Sequence, residues 1–316
     1  MTVRLGVVMD PIAAIQPAKD STLAMLLEAQ RRGWSLHYME LADLAWRDGR
    51  GMGRARPLRV FDDPRRWFEL DEAEWAPLAA LDVVLMRKDP PVDAEYFAAT
   101  YLLEQAEREG VLVVNRPRGL RDLNEKLALT WVADCAPPTL VSRDAEALRV
   151  FLQEQGDIVL KPLFAMGGAS VFRLRPGDAN VGVILETLTD HGRRFAMAQR
   201  FLPEIVEGDK RVIVVDGEPV PQVLARIPPP GETRGNLAVG GRGEVRPLGE
   251  AERRLCERVA PLLREHGILF AGLDVIGDRL TEINVTSPTG IRELDAACGL
   301  NIAARLMDAI QKRLSS

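Results

Sequence analysis

Histidine and cysteine are scarce in this sequence, and their scarcity argues against several kinds of catalytic site. Among 316 residues there are three histidines and three cysteines. The histidines, His37, His191 and His266, do not have the spacing of metal ligands, so a histidine-based metal centre or catalytic triad is not expected. The cysteines are scattered and odd in number. This pattern predicts reduced thiols in a cytosolic protein, not a disulfide framework or a zinc site.

Long apolar runs and a basic surface are also missing. No run reaches the length needed to span a membrane, so no membrane partner is expected. The formal net charge is −5, which argues against a general nucleic-acid binder. The strand-like run from Val3 to Met9 has neither the long apolar core nor the cleavage site of a signal peptide. With 47% hydrophobic and 28% charged residues, we expect a cytoplasmic, globular protein of two or three domains.

The first 122 residues alternate between short apolar runs and amphipathic helices. This alternation predicts an open α/β sheet with parallel strands. One helix is expected from about Thr22 to Arg32 and a second from Asp93 to Glu109, each closed by a glycine. The Arg- and Gly-rich stretch 43–63 is predicted to be an exposed excursion outside the sheet. The expected strands are Val3–Met9, Leu36–Met39, Leu81–Arg87 and Val111–Val114.

Beyond this region the pattern changes to strands joined by antiparallel turn signals. A domain boundary is therefore expected near residues 115–122. The segment Arg121–Leu129 is predicted to be a helix that bears Lys126. The segment Asp157–Pro162 is predicted to be a strand that contains Lys161.

A predicted hairpin near the C-terminus carries several oxygen-bearing side chains. Side chains alternate along a strand, so Glu282 and Asn284 share one face. A carboxylate and an amide oxygen at this spacing suit Mg²⁺, which prefers hard oxygen ligands and often bridges to phosphates. A three-residue turn at Gly277–Arg279 would place Asp274 opposite Glu282, whereas a two-residue turn would place it opposite Thr281. The alternative is a hairpin whose polar face meets water.

A glycine-containing loop, Met166–Ser170, lies between two predicted strands. Without side chains at Gly167 and Gly168, backbone N–H groups can approach phosphate oxygens closely. Lys161, near the end of the preceding strand, and Lys126 could each neutralise a phosphate. The alternatives are an ordinary hairpin loop and two surface lysines. The combination of loop, lysines and acidic hairpin favours a phosphate site.

The segment 227–243 contains three prolines and five glycines. Segments of this length without secondary structure are uncommon inside compact domains and are usually functional or disordered. Its glycines allow hinge motion, and Arg234 and Arg242 can contact anions. We therefore predict a mobile lid that closes over a reacting phosphoryl group and excludes water. The alternative is a disordered linker.

Longer motifs run through the whole chain. They are Val7-Val-Met-Asp-Pro-Ile12, Met25-Leu-Leu-Glu-Ala-Gln-Arg-Arg-Gly33, Met86-Arg-Lys-Asp-Pro-Pro91, Gly235-Asn-Leu-Ala238 with Gly240-Gly-Arg-Gly-Glu244, and Leu280-Thr-Glu-Ile-Asn-Val-Thr-Ser-Pro-Thr289. Together they resemble the bacterial glutathione synthetases of the ATP-grasp superfamily, in which two α+β lobes hold ATP between antiparallel sheets. The resemblance implies an N-terminal α/β substrate-binding domain over 1–122. It also implies a small lobe with the glycine loop over 123–202, and a large lobe with the lid and metal site over 203–316.

The resemblance implies a reaction as well. ATP would phosphorylate the cysteinyl carboxylate of γ-glutamylcysteine, and the amine of glycine would attack the acyl phosphate to give glutathione, ADP and phosphate. Mg²⁺ or Mn²⁺ would take part, and the family suggests a homotetramer. The alternatives are a related ATP-grasp ligase with other substrates, and an ATP-binding protein that does not turn over. The N-terminal motifs argue against the first, and the retained metal ligands and arginines argue against the second.

Roles for individual residues also follow from the resemblance. The implied nucleotide-binding residues are Lys126, Lys161, Met166, Gly167, Gly168, Gln199, Arg200, Phe201, Leu202 and Asp209. Among these the two lysines are assigned to the phosphates, 199–202 to adenine and Asp209 to the ribose. The implied metal ligands are Asp274, Glu282 and Asn284. The implied catalytic residues are Arg211 and Arg234, which would steady the acyl phosphate, and Arg226, which would help to bind the dipeptide.

The glycine loop departs from the pattern of the family. That loop usually contains Leu-Asp-Gly-Met-Gly-Gly, whereas residues 163–168 here are Leu-Phe-Ala-Met-Gly-Gly. Phe164 removes a carboxylate and Ala165 removes a glycine. If Ala165 must adopt a positive φ, the cost is roughly 1 kcal/mol. We expect reduced mobility of the loop without loss of activity.

Overall fold

A computed structural model describes residues 2–235 and 240–315. Its first part holds the predicted α/β sheet. Asp20 and Asp93 begin the two predicted helices, because each side chain accepts a hydrogen bond from the backbone N–H three residues later, at 2.6 and 2.9 Å. The elements are β1 (Arg4–Val8), α1 (Ser21–Arg31), β2 (Ser35–Met39), β3 (Leu44–Arg47), β4 (Arg50–Val60), β5 (Phe68–Leu70), β6 (Glu74–Pro77), β7 (Val83–Met86), α2 (Ala94–Arg108), β8 (Leu112–Val114) and α3 (Pro117–Asp122).

The apolar runs of this part form the parallel core of the sheet, in the order β2-β1-β7-β8. All residues of β7 are buried, as expected for parallel strands covered on both faces. Within the described residues, no helix combines the length and apolarity needed to cross a bilayer.

The prediction of an exposed excursion over 43–63 is wrong. β4 pairs antiparallel with β2 and β3 and extends the sheet, and β5 and β6 pair with it. Gly51 and Gly53 both lie on the buried face of β4. A Cβ added to Gly53 would lie 2.6 Å from Sδ of Met39. The close approach requires glycine, so the first half of the strand lacks the alternating apolar side chains that a sequence pattern detects, and Leu58 and Val60 are buried only at its end.

The small lobe is an antiparallel sheet with two helices. Its strand order is β11-β10-β12-β9. Leu160 and Leu185 belong to a hydrophobic cluster made from this lobe alone. The elements are β9 (Thr139–Ser142), α4 (Ala145–Gln155), β10 (Ile158–Pro162), β11 (Phe172–Leu174), α5 (Val181–Thr189) and β12 (Ala196–Arg200).

The large lobe contains a second antiparallel sheet, in the order β15-β14-β13-β16-β17. It shares its cores with the N-terminal sheet: Val84 and Leu273 belong to one hydrophobic cluster, and Leu26 and Ile213 to another. The small lobe therefore packs as a separate unit beside a larger body. The elements of the large lobe are β13 (Asp209–Val215), β14 (Glu218–Ile227), β15 (Arg242–Pro247), α6 (Glu250–Glu265), β16 (Phe270–Ile276), β17 (Arg279–Asn284), α7 (Ile291–Cys298) and α8 (Ile302–Leu314).

The predicted helix that bears Lys126 is not formed. The helix α3 ends at Asp122, and a 3₁₀ helix begins at Leu127. Lys126 lies in the turn between them, where Oδ1 of Asn124 accepts hydrogen bonds from the backbone N–H groups of Lys126 and Leu127 at 3.1 and 3.0 Å. An asparagine side chain that satisfies two consecutive N–H groups favours a turn over a continuous helix.

The predicted pairing of Asp274 with Glu282 is confirmed, although by a different route. The turn between β16 and β17 has two residues, since Ile276 pairs with Arg279. A β-bulge then follows, because Val275 pairs with Leu280 and Asp274 with Glu282, which leaves Thr281 as the extra residue. The bulge restores the register that a two-residue turn alone would have lost.

Candidate active site

Two adjoining cavities lie between the small and large lobes. Residues 165–167, Asp274 and Glu282 line both, so the cavities share a wall. Every residue assigned to the site from the sequence lines one of them. The first is lined by Lys126, Lys161, Met166, Gly167, Gly168, Gln199, Arg200, Phe201, Leu202, Asp209, Arg234, Asp274 and Glu282. The second adds Arg211, Arg226 and Asn284.

Asp274 is enclosed by two arginines. Arg211 is its partner across the β13–β16 ladder, and its Nε and Nη2 donate to the Asp274 carboxylate at 2.5 and 3.1 Å. Nη2 of Arg226 lies 2.9 Å from Oδ2 of Asp274. Burial acts to raise the pKa of Asp274, but the two guanidinium groups outweigh it and hold the pKa well below its ordinary range. The carboxylate is therefore ionised at neutral pH.

Glu282 faces the two predicted phosphate lysines. Its Oε1 lies 3.6 Å from Nζ of Lys126 and 3.4 Å from Nζ of Lys161. Burial acts to raise the pKa of Glu282, but the two lysines outweigh it and lower the pKa. Burial lowers the pKa of Lys161. Two ammonium groups that converge beside an open cavity can also neutralise a bound phosphate.

Asp209 carries a buried oxygen that lacks a partner. Its Oδ2 accepts a hydrogen bond from Nη2 of Arg226 at 2.5 Å, whereas its Oδ1 is buried without a partner among the described residues. Burial raises the pKa of Asp209 to about 7, against the opposing effect of Arg226. An unpaired buried acceptor is costly, so a ligand hydroxyl that donates to Oδ1 would stabilise the site.

The first part of the predicted lid contacts the glycine loop. Nη1 of Arg234 donates to the carbonyl oxygen of Gly168 at 3.1 Å, and its Nη2 lies 2.6 Å from Oε2 of Glu232. Residues 236–239 of the predicted lid 227–243 lie outside the described residues. The described segment 228–235 contains no helix or strand and brings an arginine to the first cavity.

The glycine loop is free of the strain considered above. Ala165 does not have a positive φ, whereas Gly167 and Gly168 do, at 65° and 79°. The predicted cost of Ala165 therefore does not arise. The carbonyl oxygen of Ala165 accepts a hydrogen bond from Nζ of Lys126 at 2.7 Å. The loop is thus tied to a predicted phosphate lysine.

The donors predicted for a divalent cation lie together at the junction of the cavities. Asp274 pairs with Glu282, and Nδ2 of Asn284 donates to the carbonyl oxygen of Gly272 at 3.2 Å. In residues 2–235 and 240–315 no three His, Cys, Asp or Glu side chains form a ready-made metal cluster. Arginines and lysines engage the two carboxylates instead. The chemistry still fits Mg²⁺, because two ionised carboxylates and an amide oxygen are hard oxygen donors.

Glu125 was not identified from the sequence, although it belongs to the site. It lines the second cavity, and its Oε1 accepts hydrogen bonds from the N–H groups of Val285 and Thr286 and from Oγ1 of Thr286, at 3.0, 3.1 and 2.8 Å. The available signal was a carboxylate directly before a predicted phosphate lysine. Its partners lie 160 and 161 residues away, so no local pattern reveals them.

Family models match nearly all of the chain. Residues 3–121 match the prokaryotic glutathione synthetase N-terminal domain, and residues 125–299 match the prokaryotic glutathione synthetase ATP-grasp domain. The glutathione synthetase of Pseudomonas syringae pv. tomato is 62% identical over 316 residues, covering 100% of this chain and 99% of that protein. That of Vibrio vulnificus is 56% identical, with the same coverage.

Solved structures with low sequence identity share the fold. The D-cycloserine synthetase DcsG superposes with a TM-score of 0.68 at 16% identity, covering 98% of this chain and 99% of that chain. A RimK domain ATP-grasp protein from Sphaerobacter thermophilus gives a TM-score of 0.63 at 21% identity, covering 97% and 98%. These likenesses concern the fold alone. Together with the full-length relatives, they lead to one conclusion: the chain belongs to the prokaryotic glutathione synthetase family and has an ATP-grasp fold.

Proposed function

We propose that the protein is a glutathione synthetase, an ATP-dependent ligase that joins γ-glutamylcysteine to glycine. The observation that carries the proposal is the junction of the two cavities. There Lys126 and Lys161 flank Glu282, while Arg211 and Arg226 flank Asp274. One cavity suits a nucleotide and the other a second anionic ligand, and both open onto the same charged groups.

The reaction needs positioning and charge neutralisation more than a nucleophilic side chain. A carboxylate does not react with an amine at neutral pH until one of its oxygens has become a good leaving group. Transfer of the γ-phosphoryl group from ATP to the cysteinyl carboxylate gives an acyl phosphate and ADP. Attack by the amine of glycine then forms the C–N bond and releases phosphate and a proton.

Each part of the site contributes to these two reaction steps. Lys126 and Lys161 neutralise nucleotide phosphates, and Asp209 accepts a hydrogen bond from the ribose. Residues 199–202 border the adenine. Arg211 and Arg226 hold the carboxylate of the dipeptide and the phosphate that it acquires. Arg234, which touches the glycine loop at Gly168, covers the reacting groups from the lid.

Asp274, Glu282 and Asn284 would hold Mg²⁺ or Mn²⁺. The ion would neutralise phosphate charge as the phosphoryl group moves. This assignment is supported by the hard oxygen donors and by the low pKa of Asp274, which keeps its carboxylate ionised. The arginines and lysines that now neutralise the two carboxylates would turn to anionic ligands when the cation is bound.

The proposal extends to the organisation of the chain. Residues 1–122 form the substrate-binding domain, 123–202 the small ATP-grasp lobe and 203–316 the large lobe. Family resemblance supports a homotetramer, and the scattered, unpaired cysteines support a cytoplasmic location.

Phosphate release in the presence of ATP and different acid–amine pairs tests the proposal. We expect release that requires both γ-glutamylcysteine and glycine, with glutathione as the product. A reaction without the amine is the control for simple ATP hydrolysis. Absence of release with this pair, together with release for another pair such as two amino acids, would identify a related ligase with other substrates instead.

A further inference from the structure

The second cavity contains a carboxylate that differs from the others in the site. Asp274 and Glu282 each lie within 4.0 Å of two cationic side chains. Glu125 lines the same cavity but forms no ion pair within the part of the chain that the structure describes. Its negative charge is therefore not neutralised by contact with Lys or Arg.

Glu125 is also held in a fixed orientation. Three donors bind its Oε1, namely the N–H groups of Val285 and Thr286 and the hydroxyl of Thr286. Its own backbone carbonyl oxygen accepts a hydrogen bond from the N–H of Ile283 at 2.9 Å. These contacts attach Glu125 to the segment 283–286, which includes the predicted metal ligand Asn284. A side chain locked by several hydrogen bonds is suited to orienting a ligand.

Glu125 lies next in the chain to a residue of the proposed phosphate site. Glu125 directly precedes Lys126, whose Nζ lies 3.6 Å from Oε1 of Glu282. Burial raises the pKa of Glu125, and the negative charge of Glu282 raises it further. A cation beside Glu125 would oppose both effects, because it would favour the ionised form.

We infer that Glu125 binds the ammonium group of the incoming amine substrate and holds its nitrogen near the acyl phosphate, where loss of a proton to solvent frees the lone pair that attacks. The inference rests on the proposed function, because the amine substrate of a carboxylate–amine ligase carries an ammonium group at neutral pH. The arginines of the cavity repel such a group. Asp274 and Glu282 are already neutralised, so Glu125 is the anchored carboxylate that offers the opposite charge.

Two other carboxylates line the cavity, Asp89 and Glu293. Oε2 of Glu293 is buried without a hydrogen-bond partner among the described residues. The carboxylate of Asp89 makes no hydrogen bond to any residue that the structure describes. Its orientation is therefore not fixed, whereas Thr286 fixes the orientation of the Glu125 carboxylate. Glu293 supplies a matched comparison, because its substitution removes one negative charge from the same cavity.

Steady-state kinetics of Glu125→Gln tests the assignment. The amide oxygen can still accept the three hydrogen bonds, so the loop remains in place while the charge is lost. We expect KM for glycine to rise about tenfold or more, as for loss of a hydrogen bond to a charged group. KM for ATP and for γ-glutamylcysteine should stay within about twofold of wild type, since the inference assigns the Glu125 carboxylate to glycine alone. Hydroxylamine is small and largely uncharged at neutral pH, so the rate of hydroxamate formation should stay near that of the wild type.

Three outcomes would overturn the inference. These are an unchanged KM for glycine, an equal loss of rate with glycine and hydroxylamine, or an equal rise in KM for glycine in Glu293→Gln. If Glu125→Gln no longer binds ATP, the wild-type enzyme provides the test with glycolate, in which a hydroxyl replaces the ammonium group. Competition by glycolate at concentrations near the KM for glycine would then contradict the inference.

The wild-type assay with γ-glutamylcysteine and glycine is run first. If that pair fails and another acid–amine pair reacts, the proposed function is wrong. The comparison between Glu125→Gln and wild type with that other amine still tests the role of Glu125.

Discussion

Arg211 holds Asp274 through two contacts, Nε to Oδ1 at 2.5 Å and Nη2 to Oδ2 at 3.1 Å. The family resemblance assigned these residues to different ligands, the arginine to an anion and the aspartate to a cation. In the structure they neutralise each other, which avoids an unpaired buried charge. A cation that binds Asp274 would release Arg211 for an anion, and an anion that binds Arg211 would release Asp274.

We therefore expect divalent cation and dipeptide to strengthen each other's binding, because coupling between two sites is reciprocal. A calorimetric titration of the protein with Mn²⁺ should show that Mn²⁺ binds at least about fivefold more tightly when γ-glutamylcysteine is present. The same titration in Arg211→Gln is the control, since the exchange of partners is then lost. Equal Mn²⁺ affinity with and without the dipeptide in the wild type would refute this coupling.

Asp274→Asn should destabilise the fold as well as abolish activity. The substitution leaves Arg211 buried without its carboxylate, and loss of one member of a buried pair costs about 3 kcal/mol. The pKa of Asp274 is lowered in the folded protein, so its contribution is present above the unfolded value of about 4 and is lost as the pH falls. Denaturant unfolding at pH 7 measures the loss.

Asp308→Asn provides the comparison for this experiment. Asp308 pairs with Arg32 at 2.7 Å, but its side chain is 70% exposed. An exposed pair of this kind contributes less than about 1 kcal/mol. If Asp274→Asn is no more destabilising than Asp308→Asn, the buried network does not stabilise the fold as described.

Glu28 should make stability depend on pH in the acid range. Hydrogen bonds from Arg31, with those from Arg32, outweigh the effect of burial and lower the pKa of Glu28 to about 2. Its unfolded value is about 4.3, so its contribution is fully present above that pH and is lost as the pH falls through 2. The difference in Tm between wild type and Glu28→Gln should be largest near pH 7 and should narrow at pH 3. A difference that stays constant would show that ionisation of Glu28 is not the cause.

The substitution Ala165→Gly tests the expectation of a less mobile loop. Ala165 has an ordinary backbone conformation, so a glycine there relieves no strain and adds conformational freedom. The entropic cost of ordering the glycine loop when ATP binds should rise by up to about 1 kcal/mol. This corresponds to an increase in KM for ATP of up to about fivefold. Steady-state kinetics with varied ATP measures this change. Unchanged KM and kcat would remove the expectation.

The hairpin at β16–β17 illustrates how far the sequence could predict the site. The alternation of side chains identified Glu282 and Asn284 on one face, and Asp274 entered through an assumed three-residue turn. The turn has two residues, and Thr281 compensates as a bulge whose Oγ1 donates to the carbonyl oxygen of Asp274 at 3.1 Å. A bulge depends on side-chain packing and contacts across strands, so the pattern of one strand cannot show it.

Features that depend on distant partners were missed for the same reason. Gly53 packs against Met39 and Leu78, so the first half of β4 lacks the alternating apolar side chains of a strand. Glu125 acquires its place through Thr286, far along the chain. The mutual neutralisation of Arg211 and Asp274 likewise requires the β13–β16 register. Local spacing and family resemblance identified the residue types of the site, whereas the partners of these residues are set by the tertiary structure.

The most direct test of the account follows an oxygen atom from the dipeptide into phosphate. The cysteinyl carboxylate of γ-glutamylcysteine is labelled with heavy oxygen, and the inorganic phosphate released on ligation with glycine is analysed by mass spectrometry. Because one carboxylate oxygen leaves with the phosphoryl group of the acyl phosphate, we predict one labelled oxygen in phosphate for each glutathione formed. Glutathione formation with unlabelled phosphate would contradict phosphorylation of the carboxylate at the junction of the two cavities.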